Sequence, residues 1–139
     1  MTRELPDGHE LDDDRSRIDL DATFAYLSGE SYWALGRPRE TVERLLAEAQ
    51  RLVGLYRHGR QVGFSRTVSD GVSFAYLADV YVLAAYRGRG LGVELVREIV
   101  ENGPYADCKW LLHTGDAHGL YRKLGFDEPS DRLLERAPE

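Results

Sequence analysis

Apolar residues recur along this chain at two spacings, and the spacing predicts its elements. Behind Pro38, Val42, Leu45, Leu46 and Ala49 repeat at helical intervals; proline's fixed φ suits the first helical turn. Leu91, Leu95, Val96, Ile99 and Val100 form a second stripe, with Glu94, Arg97, Glu98 and Glu101 expected on the solvent side. Gly103-Pro104 stops that helix. Leu52 to Tyr56 and Gln61 to Thr67 read as strands joined by a turn at His58-Gly59, and Asp70-Gly71 makes another turn. Phe74 to Leu83 is nearly all apolar, the pattern of a strand buried on both faces.

The remaining elements are shorter. Arg17 to Leu20 is a strand candidate, and Asp21 is placed as the N-cap of a helix bearing Phe24 and Leu27 and ending near Gly29. An aromatic loop with Tyr32 and Trp33 follows. Lys109 to His113 reads as a strand, Asp116 as the cap of a helix running through Lys123, and Gly125 as its end. Phe126 opens a last strand region around Arg132 to Arg136. The order is strand, two helices, three strands, helix, strand, helix, strand, a mixed α/β domain.

Composition narrows the class. The chain has 139 residues, enough for one domain, placed at residues 17–139. Residues 1–16 include Asp12-Asp13-Asp14 and little that can pack, so a disordered acidic tail is expected there. No apolar run approaches the ~20 residues that span a bilayer, and the N-terminus lacks a signal-like apolar segment. One cysteine, Cys108, permits no internal disulfide and reads as a packing residue. A cytoplasmic protein with no membrane partner is expected. The net charge of −6 and the scattered arginines argue against a nucleic-acid partner, whose phosphates call for a basic patch. No residues show metal-ligand spacing, so no metal is expected.

The most informative segment is Arg87-Gly88-Arg89-Gly90-Leu91-Gly92, between a strand and a strong helix. Glycines let a ligand approach main-chain N–H groups, and a helix N-terminus adds free donors and positive potential, which together suit phosphate. A Walker A loop is excluded because no lysine lies between Gly71 and Cys108. A dinucleotide fingerprint is excluded because Gly90 is followed by Gly92 rather than by a glycine at Val93. Taken alone, the segment also fits a plain connecting turn.

With its neighbours, however, the segment resembles the central motif of the GNAT N-acetyltransferases: a strand, Arg/Gln-x-x-Gly-x-Gly/Ala, then a helix, here Val80 through Gly92. A second family motif, a short helix ending Tyr-x-x-x-Gly-Phe, is matched by Tyr121-Arg122-Lys123-Leu124-Gly125-Phe126. The resemblance spans roughly Arg17 to Arg136. It implies an α/β (α+β) fold with a mixed, mostly antiparallel sheet whose central strands splay apart. It also implies an enzyme that transfers acetyl from acetyl-CoA to a primary amine by direct attack in a ternary complex.

By the same resemblance, the amides of Arg87, Gly88, Arg89, Gly90, Leu91 and Gly92 hold the cofactor pyrophosphate. Val80 N–H meets the thioester carbonyl, and Tyr81 and Val82 lie along the pantetheine arm. Fixed donors at a developing negative charge are an effective catalytic device. Tyr121 matches the tyrosine that protonates the departing thiolate, a transfer between groups of pKa ~10 and ~8.5.

This sequence departs from the family pattern at Ala84, where proline is frequent, and at Thr114, near a common asparagine. Many members carry glutamate on the central strand where Tyr76 and Ala78 stand here. Asp79 is the only charge between Phe74 and Leu83 and is expected either to serve the acceptor amine or to be held by a backbone group or an arginine. His113 and His118 could act near neutral pH, and a surface or structural role is the favoured reading for each. Tyr32, Trp33 and Tyr76 are expected to wall the pocket of a small-molecule or peptide amine. Other readings stay open: another acyl group, a non-catalytic CoA-sensing or partner-binding module, and assembly as a homodimer.

Overall fold

At the expected turn, His58 and Gly59 both adopt positive φ, 48° and 81°. This is the geometry of a tight hairpin whose twist matches its strands. It joins β3 (Arg51–Arg57) to β4 (Arg60–Ser69), and β5 (Phe74–Val82) returns after the Asp70-Gly71 turn. In that turn the Asp70 carboxylate accepts from the amides of Val72, Ser73 and Phe74. These strands form the middle of a six-stranded sheet in a computed structural model that describes residues 1–138. With β1 (Thr2–Leu5), β2 (His9–Asp12) and β6 (Lys109–Leu112), the strands lie in sequence order. All pairs are antiparallel except β5 with β6.

Residues 1–16 are therefore not a frayed tail. Leu11 is fully buried in the core, and Arg3 reaches across to Glu94 and Glu98. Glu98, expected in solvent, is buried because the hairpin β1–β2 and Arg51 cover it. The acidic run is held by cations: Arg17 pairs with Asp12, and Arg51 and the N-terminal amine pair with Asp13. The charges that suggested disorder are the contacts that dock the segment.

The helices are α1 (Leu20–Gly29), α2 (Arg39–Glu48), α3 (Leu91–Val100) and α4 (His118–Arg122). No strand forms at Arg17 to Leu20; Arg15–Arg17 is a 3-10 turn. The cap of α1 is Asp19, whose carboxylate accepts from Ala22 N, and Asp21 lies in the first turn. Thr114, rather than Asp116, serves the start of α4, its Oγ1 accepting from Ala117 N at 3.1 Å. No strand forms at Arg132 to Arg136. Before it, Asp127 and Glu128 turn back to Arg122, and Pro129 has no N–H to offer a sheet.

One core packs α3 on the sheet through Leu95, Val96 and Ile99 against Val53, Leu55 and Val62. Each such fully buried side chain contributes about 1.5–3 kcal/mol relative to exposure. A second core on the other face gathers Tyr26, Leu27, Phe64 and Tyr81 under α1. Strand β5 alternates buried and half-exposed positions, so it is not buried on both faces. Its half-exposed Tyr76, Ala78 and Val80 line an open cleft.

Candidate active site

The cleft begins where β5 loses its partners. On one side Arg66 pairs with Ala78 and Phe64 with Tyr81, with an irregularity between; on the other, pairing to β6 ends at Leu77 and Leu112. Asp79 and Val80 thus have no register partner in either neighbour. Asp79 sits at φ 55°, a left-handed conformation costing a non-glycine residue about 1–3 kcal/mol. The bulge also redirects the side chains after it. Tyr81, expected beside the cofactor, turns into the second core and stacks on Tyr26 at 4.0 Å between ring centres, its hydroxyl accepting from Gln61.

The Asp79 carboxylate is buried and holds three donors: Arg66 Nε at 2.9 Å, Arg37 Nη1 at 3.0 Å and Trp33 Nε1 at 2.9 Å. Burial pushes its pKa up, but the charges of Arg66 and Arg37 and the bonds from Arg66 and Trp33 outweigh it. The carboxyl stays below its ordinary range. Of the roles expected for Asp79, the geometry displays the one in which arginine holds it. Arg37 and Arg66 were missed in the sequence. The signal was the isolated carboxylate itself, which required a cationic partner.

Beyond β5 the chain passes through Gly88 and Gly90 at φ 79° and 77°, and Gly90 is the N-cap of α3. No side chain caps that helix, and neither glycine's missing Cβ position has an atom within 4 Å. The first-turn N–H groups are therefore left without a capping side chain, the arrangement that accepts an anion. Gly92 is closer packed, its absent Cβ lying 3.0 Å from Leu120 Cδ1. Arg87 folds back: Nε donates to Val82 O and Nη2 to the Tyr26 hydroxyl, both at 2.8 Å.

Across the cleft stands Tyr121 on α4. It is 8% exposed and packs edge-on against Phe126. Burial, with smaller contributions from Tyr32 and Asp116, pushes its phenol up to about 12; no hydrogen bond contributes. Tyr32 bridges the α1–α2 loop to the α4 side, its hydroxyl accepting from Gly115 N at 2.6 Å. Tyr76 hydrogen-bonds through its hydroxyl to His113 Nδ1.

One cavity of about 300 Å³ is lined by Tyr32, Trp33, Tyr76, Asp79, Val80 and Tyr121, bringing the expected pocket wall and chemical groups together. A second, of about 390 Å³, runs under the C-terminal segment and shares Tyr76, His113 and Thr114 with the first. Among the described residues, no three His, Cys, Asp or Glu side chains cluster as metal ligands, and no helix is long and apolar enough to cross a membrane.

Comparison with known proteins agrees with this architecture. The family model described as an acetyltransferase (GNAT) domain matches residues 45–128. A crystal structure of a candidate acetyltransferase of the GNAT family from Xanthomonas campestris pv. campestris is 34% identical. It superposes with a TM-score of 0.87 and covers 94% of this chain and 93% of its own. A candidate acetyltransferase of Gibberella zeae is 28% identical over 137 residues, spanning 83% of this chain and 77% of its own. A Staphylococcus aureus structure at 22% identity and TM-score 0.77 shares the fold. By the matched domain and the closeness of the Xanthomonas structure, this chain belongs to the GNAT acetyltransferase family.

Proposed function

We propose that this protein moves an acetyl group from acetyl-CoA to the nitrogen of a primary amine by direct attack, with both substrates bound together. The observation that carries this reading is one juxtaposition. The unpaired stretch of β5 at Val80 and the Tyr121 phenol line one cleft, and β5 runs on into the uncapped, glycine-led start of α3.

The residues present fit the cosubstrate. The amides from Arg87 to Gly92 are the donors for its pyrophosphate, and the glycines at positive φ leave the backbone bare for close approach. The main chain of Val82 offers strand-like pairing to the pantetheine arm once Arg87 releases its carbonyl. Acetyl-CoA supplies the acyl group as an activated thioester. The Val80 N–H stabilises charge on the thioester oxygen.

Tyr121 keeps its proton through the neutral range. In the free enzyme Tyr121 is therefore tuned to donate a hydrogen bond to a developing thiolate. Asp79 acts as a positioning residue: it fixes the bulge beside Val80 and anchors Trp33 and Arg37 on the acceptor wall.

The test is thiol release from acetyl-CoA over a panel of polyamines, amino acids, aminoglycosides and lysine peptides. Amine-dependent release supports the reading; release that no amine changes rejects it.

A further inference from the structure

The proposed reaction must dispose of protons, and the cleft's buried carboxylate is already engaged. An acceptor ammonium loses two protons in becoming an amide. One ends on the departing sulfur, and the other must reach water. Asp79 is a poor receiver because Arg66, Arg37 and Trp33 occupy it.

Tyr76 opens another route. Tyr76 lines the same cavity as Val80 and Tyr121, and its hydroxyl is hydrogen-bonded to His113 Nδ1. His113 Nε2 in turn lies 2.7 Å from Glu135 Oε2. Burial pushes the Tyr76 phenol up, so it carries its proton. In the neutral tautomer with its proton on Nε2, His113 accepts from Tyr76 O–H at Nδ1 and donates from Nε2–H to Glu135. The three groups run from the cleft to the surface, where His113 and Glu135 have side-chain exposures of 65% and 71%.

We infer that Tyr76 and His113 form a proton relay from the acceptor nitrogen to solvent, with Glu135 orienting the imidazole. The inference rests on the acetyl-transfer reading above. The ammonium first gives one proton to the relay, which frees its lone pair. As the nitrogen–carbon bond forms and the carbon–sulfur bond breaks, the electron pair of that bond leaves with sulfur, and the thiolate, hydrogen-bonded by Tyr121, takes its proton from water. A proton on the nitrogen passes to the Tyr76 oxygen while the Tyr76 proton passes to Nδ1. The resulting imidazolium is paired with Glu135 and gives a proton to water. Tyr76 is the catalytic member; His113 and Glu135 act through it.

Histidine is well suited to this work because it exchanges protons near neutrality. Other charged groups stand close. Arg66 and Asp79 face Tyr76 from β4 and β5, and Arg37 backs Asp79. Asp116 and His118 flank the loop before α4, with Asp116 Oδ1 3.5 Å from the Tyr32 hydroxyl. Asp116 is the rival proton acceptor, since it lines the same cavity.

The experiment compares wild type with Tyr76→Phe, His113→Gln, Glu135→Gln, Asp79→Asn and Asp116→Asn. An amine that wild type acetylates is used, and Tm and acetyl-CoA Kd are measured on each preparation. His113→Gln and Tyr76→Phe are expected to lower kcat/KM for the amine by roughly 10²-fold with Kd unchanged. His113→Gln removes the acidic limb of the pH profile, whereas Asp79→Asn and Asp116→Asn retain it. In NMR spectra at fixed pH, Tyr76→Phe and Glu135→Gln each shift the His113 ring signals. A wild-type profile in His113→Gln, or loss of the limb only in Asp116→Asn, overturns the relay while leaving acetyl transfer standing. Wild type inert toward every amine overturns both.

Discussion

Asp79 Oδ2 lies 2.9 Å from Arg66 Nε, joining the bulged residue of β5 to the strand from which the bulge departs. Arg37 binds the same oxygen from the α1–α2 loop. The pair thus holds the strained backbone beside Val80 and ties the α1–α2 loop to the sheet.

Asp79→Asn should therefore destabilise the fold by about 3 kcal/mol, because removing one member of a buried pair strands the other. Denaturant unfolding at neutral pH measures this. The carboxyl's depressed pKa contributes stability above the ordinary carboxylate range and loses it as pH falls through the folded value. The wild-type protein should lose stability with acidification more steeply than Asp79→Asn. Equal stabilities at neutral pH would contradict the role given to this pair.

Gly90 should tolerate no β-branched side chain, since its φ is 77° and it heads α3 where phosphate is expected. Gly90→Val is expected to weaken CoA binding at least tenfold in calorimetry. Wild-type CoA binding should itself raise Tm, because a ligand of the native state stabilises by mass action. A Gly90→Val protein that is folded and binds CoA with wild-type Kd would move the phosphate site elsewhere.

Arg87 should change partners when cofactor binds. Its Nε–H now donates to Val82 O, the group assigned to the pantetheine arm. The NMR signal of that Nε–H is expected to shift and to exchange faster with solvent on CoA addition. A signal that neither shifts nor exchanges faster at saturation would remove Val82 from the binding strand.

Tyr121→Phe should retain fold and CoA affinity while turnover falls by about 10²-fold, the scale for losing one hydrogen-bond donor to a developing charge. The reading is kinetic, under conditions where chemistry limits the rate. An unchanged kcat would leave Tyr121 only its packing against Phe126.

Much of this architecture was legible in the residues. The stripe from Leu91 to Val100 and the glycines before it specified α3 and its bare N-terminus, because periodicity and glycine placement are local signals. Docking of the N-terminal hairpin was not legible. Its acidic run is neutralised by nearby Arg17 and by Arg51, and no local window shows Arg51 meeting Asp13 from 38 residues away. The bulge at Asp79 was equally hidden: a left-handed aspartate on an apolar strand reads as a regular position until Arg37 and Arg66 are brought to it by the fold. The same holds for the link from Tyr76 through His113 to Glu135, which lies on a segment read as a strand and found without one.

The central claim is acetyl transfer from acetyl-CoA to an amine without an acetylated enzyme. Mass spectrometry of a single turnover, with and without an amine that supports thiol release, tests it most directly. The account predicts one acetyl group on the amine, stoichiometric free CoA, and protein of unchanged mass in both samples. Acetylated protein formed without the amine and discharged on its addition would contradict direct attack, and no acetylated amine at all would contradict the transfer itself.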